Sequence, residues 1–137
     1  MGAELKAQAV TALIDDWSRD YDPAKSTLIL AHLRRDVRAL NDLARARLVS
    51  RGLVGAGHAF RTEEGERRFA AGDQIVFLRN EGSLGVKNGM IGRVVEAAAG
   101  RFTAEIGEGS HKRRVDVDQR FYRNVDHGYA TTIHKAQ

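Results

Sequence analysis

The sequence predicts an α/β body interrupted by a small all-β unit, and three observations predict it. The apolar run "TLILA" (Thr27–Ala31) passes directly into a long helical pattern, which is half of a βαβ unit. Short β-patterned pieces separated by turn residues fill the middle of the chain. The closing piece "GYATTI" is again apolar and strand-like, and is closer in character to "TLILA" than to the middle pieces. The expected layout is an α/β segment at 1–55, a linker at 56–71, a β unit at 72–124 and a return strand at 125–137.

The first element follows from "AELKAQAVTALIDDW", where Leu5, Ala9, Leu13, Ile14 and Trp17 share one helical face. Trp17 reads as core. Pro23 disfavours helical geometry at Asp22 and ends the pattern. After "TLILA", the segment "HLRRDVRALNDLARARLVSRG" carries an apolar stripe of Val37, Leu40, Ala44 and Leu48, with Gly52 placed to end the helix. Six arginines (Arg34, Arg35, Arg38, Arg45, Arg47, Arg51) accompany two acids, Asp36 and Asp42.

From Leu53 the grammar changes. "VGAGHAFRTEEGERRFAAG" is Gly-rich, lacks a clear period and reads as a linker with little regular structure. "DQIVFLR", "MIGRVVE", "RFTAEI" and "RRVDV" then alternate with turns, as in a barrel of about five strands. Asn88-Gly89 is a strong two-residue hairpin signal, because both residues accept positive φ.

Composition narrows the function classes. The chain has 137 residues, enough for one domain or two very small ones. It lacks cysteine, which excludes disulfides and thiolate metal sites and points to the cytoplasm. No apolar run is long enough for a transmembrane helix, so no membrane partner is expected, and the first ten residues lack a signal-peptide layout. The histidines show no metal-ligand spacing. A net charge of +4 permits a polyanionic partner without demanding one.

Taken together, three blocks in this order resemble a known family. "LILAHLRRDVRALNDLARARL" resembles motif IV of superfamily-one DNA helicases of the RecD-like group. "GDQIVFLRNEGSLGVKNGMIGRVV" resembles the start of the SH3-like barrel inserted in their second motor domain, and "GYATTIHKAQ" resembles their motif V. The match is strongest to the helicase part of conjugal-transfer relaxases of the TraA (MobA/MobL) type. The resemblance implies a partial RecA-like motor domain with an SH3-like insertion and a motif V cut short. It also implies that the intact parent uses ATP and Mg2+ and serves plasmid conjugation. Its implied partners are single-stranded DNA and a first motor domain, which is not in this sequence. The sequence holds no GxxxxGK[ST] phosphate loop, so this chain alone is expected not to hydrolyse ATP.

Candidate residues follow from both sources. Thr131, Thr132, His134 and Lys135 offer hydroxyls and positive charge to a nucleic-acid backbone, and by resemblance motif V lines the single-strand channel. Strand alternation puts Tyr129, Thr131 and Ile133 on one face and Ala130 and Thr132 on the other, so one threonine reads equally as packing. Arg34 and Arg35, at the strand-to-helix handover, suit a nucleotide phosphate or a solvated helix start, and the resemblance adds Gln137 on the nucleotide side. Lys112, Arg113 and Arg114 make a basic run beside Phe121 and Tyr122, the ingredients of single-strand binding. Phe121 and Tyr122 themselves read as core.

Two functions of different class remain at this stage. One is a helicase segment contributing to the single-strand channel and to the wall of the ATP cleft. The other is a stand-alone SH3-like interaction module. A free-standing hydrolase is disfavoured, because no Gly-x-Ser-x-Gly and no cysteine nucleophile occur.

Overall fold

The computed structural model describes residues 12, 14–19, 21, 28–31, 34–107 and 109–132. The chain forms two units: Met1–Leu53 together with Tyr129–Gln137, and Val54–Gly128. The first unit is therefore discontinuous in sequence, and the second lies wholly between its two parts.

In the first unit, residues 14–19 are helical (α1), followed by β1 (Ile29–Ala31), α2 (Arg34–Ser50) and, after the second unit, β9 (Ala130–Thr132). β1 and β9 pair in parallel, with Ile29 opposite Ala130 and Ala31 opposite Thr132. The apolar stripe of α2 accounts for its packing: Leu40, Ala44 and Leu48 are buried with Ile14, Ile29 and Tyr129. The Tyr129 ring lies edge-on to Trp17 at 5.7 Å and to Tyr21 at 6.4 Å. Helix α2 ends as its sequence requires. Gly52 adopts φ +73°, its N–H donates to the Val49 carbonyl, and the Leu53 N–H reaches the Leu48 carbonyl, which together make a Schellman cap. The expected face residues Leu5, Ala9 and Leu13 lie outside the described residues.

The second unit carries β2 (His58–Thr62), β3 (Gly65–Phe69), β4 (Gln74–Phe77), β5 (Ile91–Ala98), β6 (Arg101–Ile106), β7 (Arg113–Asp118) and β8 (Val125–His127). β2 and β3 form a hairpin, and the other five make an antiparallel sheet in the order β7-β6-β5-β4-β8. The four pieces expected as strands from "DQIVFLR" to "RRVDV" correspond to β4 to β7.

Three expectations need correction here. Residues 56–71 are no structureless linker, since β2 and β3 occupy most of them and bury Phe60 and Phe69. Those rings meet Phe102 at 5.2 and 5.1 Å, and their apolar contact outweighs the glycine-rich, polar composition around them. Among the described residues no continuous ladder closes the strands into a barrel; an open sheet and a hairpin are observed instead. Asn88-Gly89 does form a turn, closed by the Met90 N–H on the Lys87 carbonyl, but only Gly89 has positive φ. The turn is thus of the type with glycine third, and it lies within the longer connection between β4 and β5.

Side chains supply what the ladder omits. The Arg67 guanidinium on β3, 6% exposed, pairs with Asp126 of β8 at 3.1 Å. His127 Nε2–H donates to the Arg68 carbonyl at 2.7 Å. The Gln119 side-chain oxygen accepts the Arg61 N–H of β2 at 2.8 Å, as a neighbouring strand's carbonyl would.

Gly128, at the end of the second unit, lies against β4: its N–H donates to the Gln74 carbonyl at 2.7 Å. A Cβ there would stand 2.5 Å from the Ile75 carbonyl carbon. Gly128→Ala is expected to destabilise the protein by about 1–3 kcal/mol through forced backbone movement. Gly82→Ala, where a Cβ meets nothing within 4 Å, should stay within about 0.5 kcal/mol of the parent. Urea midpoints of the two variants test this, and equal midpoints would refute the close approach at Gly128.

Candidate nucleic-acid interface

The chemistry of the closing segment depends on how β9 is held. Asn41 of α2 is 2% exposed and sits among the apolar residues of its helix face. Its side-chain oxygen accepts the N–H groups of Tyr129 at 2.8 Å and Ala130 at 2.9 Å. Its amide nitrogen reaches the Ala130 carbonyl at 3.5 Å. On the other side the Ile29 N–H donates to the Tyr129 carbonyl at 2.8 Å. Two backbone donors and the carbonyls beside them are thereby satisfied in a buried place, as they must be.

The parallel register has a direct consequence. β1 and β9 end at the same sheet edge, since Ala31 pairs with Thr132. From that edge one strand hands over to α2, which opens with Arg34 and Arg35, and the other hands over to residues 133–137. Ligands of parallel α/β sheets bind outside this carboxyl edge. The structure thus brings the backbone of Thr131 and Thr132 and the start of α2 to one edge. The side chains of Arg34, Arg35, Thr131 and Thr132 are outside its description, and His134, Lys135 and Gln137 lie outside the described residues altogether.

The basic run of the second unit is placed differently. The Arg113 guanidinium donates to the carbonyls of Leu84, at 3.1 Å, and Gly85, holding the loop between β4 and β5. Lys112 Nζ is 3.9 Å from Glu105. Arg114 stands opposite Glu105 in register, Glu105 opposite Arg93, and Thr103 donates to Asp116 at 2.6 Å. This face alternates in sign, so its charges largely answer one another. Among the described residues no group of three or more His, Asp or Glu comes together as a metal site would require.

Phe121 corrects the sequence reading. It is 81% exposed, whereas Tyr122 is buried and donates its hydroxyl to the Arg79 carbonyl at 2.7 Å. The N–H groups of both residues donate to the Asp118 carbonyl in one tight turn. Successive side chains diverge around such a turn, and only one can enter the core. The turn is locked by its charges. Asp118 accepts the backbone N–H of Arg120 at 2.9 Å and its guanidinium at 2.8 Å. These hydrogen bonds hold the Asp118 carboxyl at a pKa of about 2.

Asn41 was missed by sequence reading, although it left a signal. At position 41 it completes the three-and-four spacing of Val37, Leu40, Ala44 and Leu48, so a polar amide occupies an apolar face. A residue so placed is a candidate for a specific buried hydrogen bond.

Comparison with known proteins adds relatives to this geometry. No protein-family model matches the chain. The chain is 70% identical over 137 residues to the probable conjugal transfer protein TraA of Sinorhizobium fredii (strain NBRC 101917 / NGR234), covering 100% of this chain and 12% of that protein. It is 68% identical over 137 residues to the conjugal transfer protein TraA of Agrobacterium fabrum (strain C58 / ATCC 33970), again 12% of the relative. The chain therefore spans only about an eighth of the curated relatives it matches. In fold it is similar to a Pif1 helicase from a study of DNA unwinding at forked double-stranded DNA, with TM-score 0.57, 16% identity, and coverage of 93% of this chain and 33% of that one. It is similar also to a Bacteroides Pif1 bound to single-stranded DNA, with TM-score 0.55, 16% identity, and 93% and 36% coverage.

Removing the Asn41 amide should loosen β9. Asn41→Ala leaves two buried N–H groups without an acceptor and is expected to cost at least about 2 kcal/mol. Asn41→Leu restores the volume without the acceptor and should not recover the loss. Denaturant melts, together with faster amide exchange at Tyr129 and Ala130, provide the check. Protection of those amides equal to the parent's would sink the assignment.

Proposed function

We propose that this chain is part of the second motor domain of an ATP-dependent DNA helicase, within a TraA-type relaxase of plasmid conjugal transfer. The observation that carries the reading is 70% identity to a TraA protein along the whole chain. Fold likeness to two Pif1 helicase structures, one solved with single-stranded DNA, supports the motor reading. The first unit is then the RecA-like body of the RecD-like group, and Val54–Gly128 is its SH3-like insertion. The parent would work in the cytoplasm.

In this reading the shared edge of β1 and β9 faces the working cleft. Thr131, Thr132, His134 and Lys135 contact the phosphates of single-stranded DNA, where hydroxyls and a cation suit anionic oxygens. Arg34, Arg35 and Gln137 line the nucleotide side of the cleft. Lys112, Arg113 and Arg114 add basic charge toward DNA from the second unit, with the Arg113 guanidinium already donating to the Leu84 and Gly85 carbonyls.

ATP and Mg2+ belong to the intact parent. The sequence has no phosphate loop, and no carboxylate cluster among the described residues would hold the metal. This chain supplies at most one wall of the cleft, facing a first motor domain encoded elsewhere in the parent. Arginines and hydroxyls on such a wall orient phosphates and answer their charge, which is most of what phosphoryl transfer asks of a protein.

Two outcomes are expected. A clean preparation of the chain shows no Mg2+-dependent ATP turnover with or without single-stranded DNA, and measurable turnover would overturn the assignment of an incomplete cleft. Fluorescence anisotropy with a labelled oligothymidine shows weak binding whose affinity falls steeply with salt, as counterion release demands. Thr132→Ala combined with Lys135→Ala should weaken that binding about tenfold or more, on the scale of two phosphate contacts. Undetectable binding at low salt, or indifference to the double variant, would remove the motif V assignment.

A further inference from the structure

The proposed strand contacts lie in the first unit, whereas the most exposed aromatic ring among the described residues lies in the second. Phe121 is 81% exposed, and the next large apolar residues, Leu43 and Leu53, are 43% exposed. It stands on the turn between β7 and β8, and that turn is rigidly made. The Phe121 and Tyr122 N–H groups share the Asp118 carbonyl, and Asp118 is clamped by Arg120. Tyr122, directly after it, is buried and tied to the Arg79 carbonyl. Gln119, two residues before, is bonded to the backbone of β2. The ring is therefore presented outward from a fixed base, without a floppy loop to order on binding.

Its surroundings are cationic. The Arg120 guanidinium lies 5.3 Å from the Phe121 ring centroid, a cation–π distance. Arg101 stands opposite Asp118 in register, and its positive charge adds to the hydrogen bonds and charge of Arg120 in lowering the pKa of the Asp118 carboxyl. Arg123 follows on the same connection, pairing at 3.3 Å with Glu63 while half-exposed. A flat apolar face backed by surplus guanidinium charge matches a nucleobase on its phosphate chain. Stacking offers the base an apolar partner, and the arginines answer the phosphates.

We infer that Phe121 and Arg120 form a base-stacking site for single-stranded nucleic acid on the second unit. The inference rests on the proposed DNA-binding function and adds a contact that its motif V residues do not supply. One face of the ring carries the Arg120 guanidinium, and the other takes an unstacked base. Such contact is tolerant of sequence, because every base has a stacking face. Base edges are not read.

The experiment compares oligothymidine with a strand of equal length in which all central positions are abasic, each bound by the 137-residue chain in fluorescence anisotropy. Phe121→Ala is expected to weaken oligothymidine binding about fivefold or more and to leave abasic binding unchanged, because only the base is lost. It should not alter the salt slope. Arg120→Ala should weaken both strands and lower that slope by about 0.7, the value for one phosphate contact on a single strand. Phe121→Trp should retain binding and show indole quenching by oligothymidine beyond any change seen from Trp17 in the parent. Circular dichroism of each variant should match the parent, since the ring is solvent-exposed.

Several results would overturn the site. Parent-like oligothymidine binding by Phe121→Ala would do so, leaving the ring to a protein partner. Equal loss on oligothymidine and abasic strands would do so too, since the ring would then not be stacking. If Phe121→Ala binds normally while the Thr132→Ala and Lys135→Ala pair does not, this inference fails and the proposed function stands. If the parent binds neither strand, both fail.

Discussion

One buried amide organises the first unit. Asn41 accepts two backbone N–H groups at the point where the chain, after a 75-residue excursion from Val54 to Gly128, rejoins its α/β body. A three-residue parallel strand is a weak object by itself: it makes few hydrogen bonds and its partner β1 is equally short. The amide adds satisfied bonds where water is excluded, and the Tyr129 ring adds apolar burial against Trp17 and Tyr21. The register of Ala31 with Thr132 follows from this anchoring, and the register decides which residues reach the sheet edge. A one-residue slip would exchange the faces of Thr131 and Thr132. The chemistry proposed for the edge therefore depends on a side chain that never touches a ligand.

The second unit solves its own closure differently. A five-stranded sheet with a separate hairpin leaves strand edges, which invite unwanted pairing. Here the gaps are bridged by side chains: Arg67 to Asp126 and His127 to the Arg68 carbonyl on one side, Gln119 to the Arg61 N–H on the other. The Arg67–Asp126 pair is nearly dry, so each partner alone would be a costly buried charge, and together they specify how β3 meets β8. The phenylalanine cluster of Phe60, Phe69 and Phe102 supplies the apolar counterpart. Polar specification and apolar burial thus act at the same seam.

Periodicity made much of this legible. The stripe of α2, its glycine cap, the strands β4 to β7 and the strand-like return could all be read from residue patterns, because each is a local matter of spacing and turn chemistry. What escaped were features decided at long range. The β2–β3 hairpin looks like a glycine-rich linker until Phe60 and Phe69 are seen to share a core with Phe102. Whether neighbouring strands close into a barrel is set by which edges meet, and no local pattern encodes that. At the candidate edge, the strand ends and the start of α2 follow from the local pattern, whereas the anchoring Asn41 shows in the sequence only as a polar residue on an apolar helix face.

The segment from His111 to Arg123 shows why charge content alone is a poor guide to binding. Read as composition, it is a single basic stretch with two aromatic rings. The fold divides it by direction. Arg113 turns to carbonyls of a neighbouring loop, Arg114 falls opposite an acid, and Tyr122 goes into the core. Only at the tight turn does the chain leave both a ring and a guanidinium in solvent, held together over an anchored carboxylate. A side chain already satisfied by its own fold must break a bond to bind anything else, so it gains little from a phosphate. The Phe121 ring, 81% exposed, has no hydrogen bond to give up and loses only water to a stacked base. By that difference the Phe121 ring, with the Arg120 guanidinium over it, is the second unit's best-placed surface for a nucleobase.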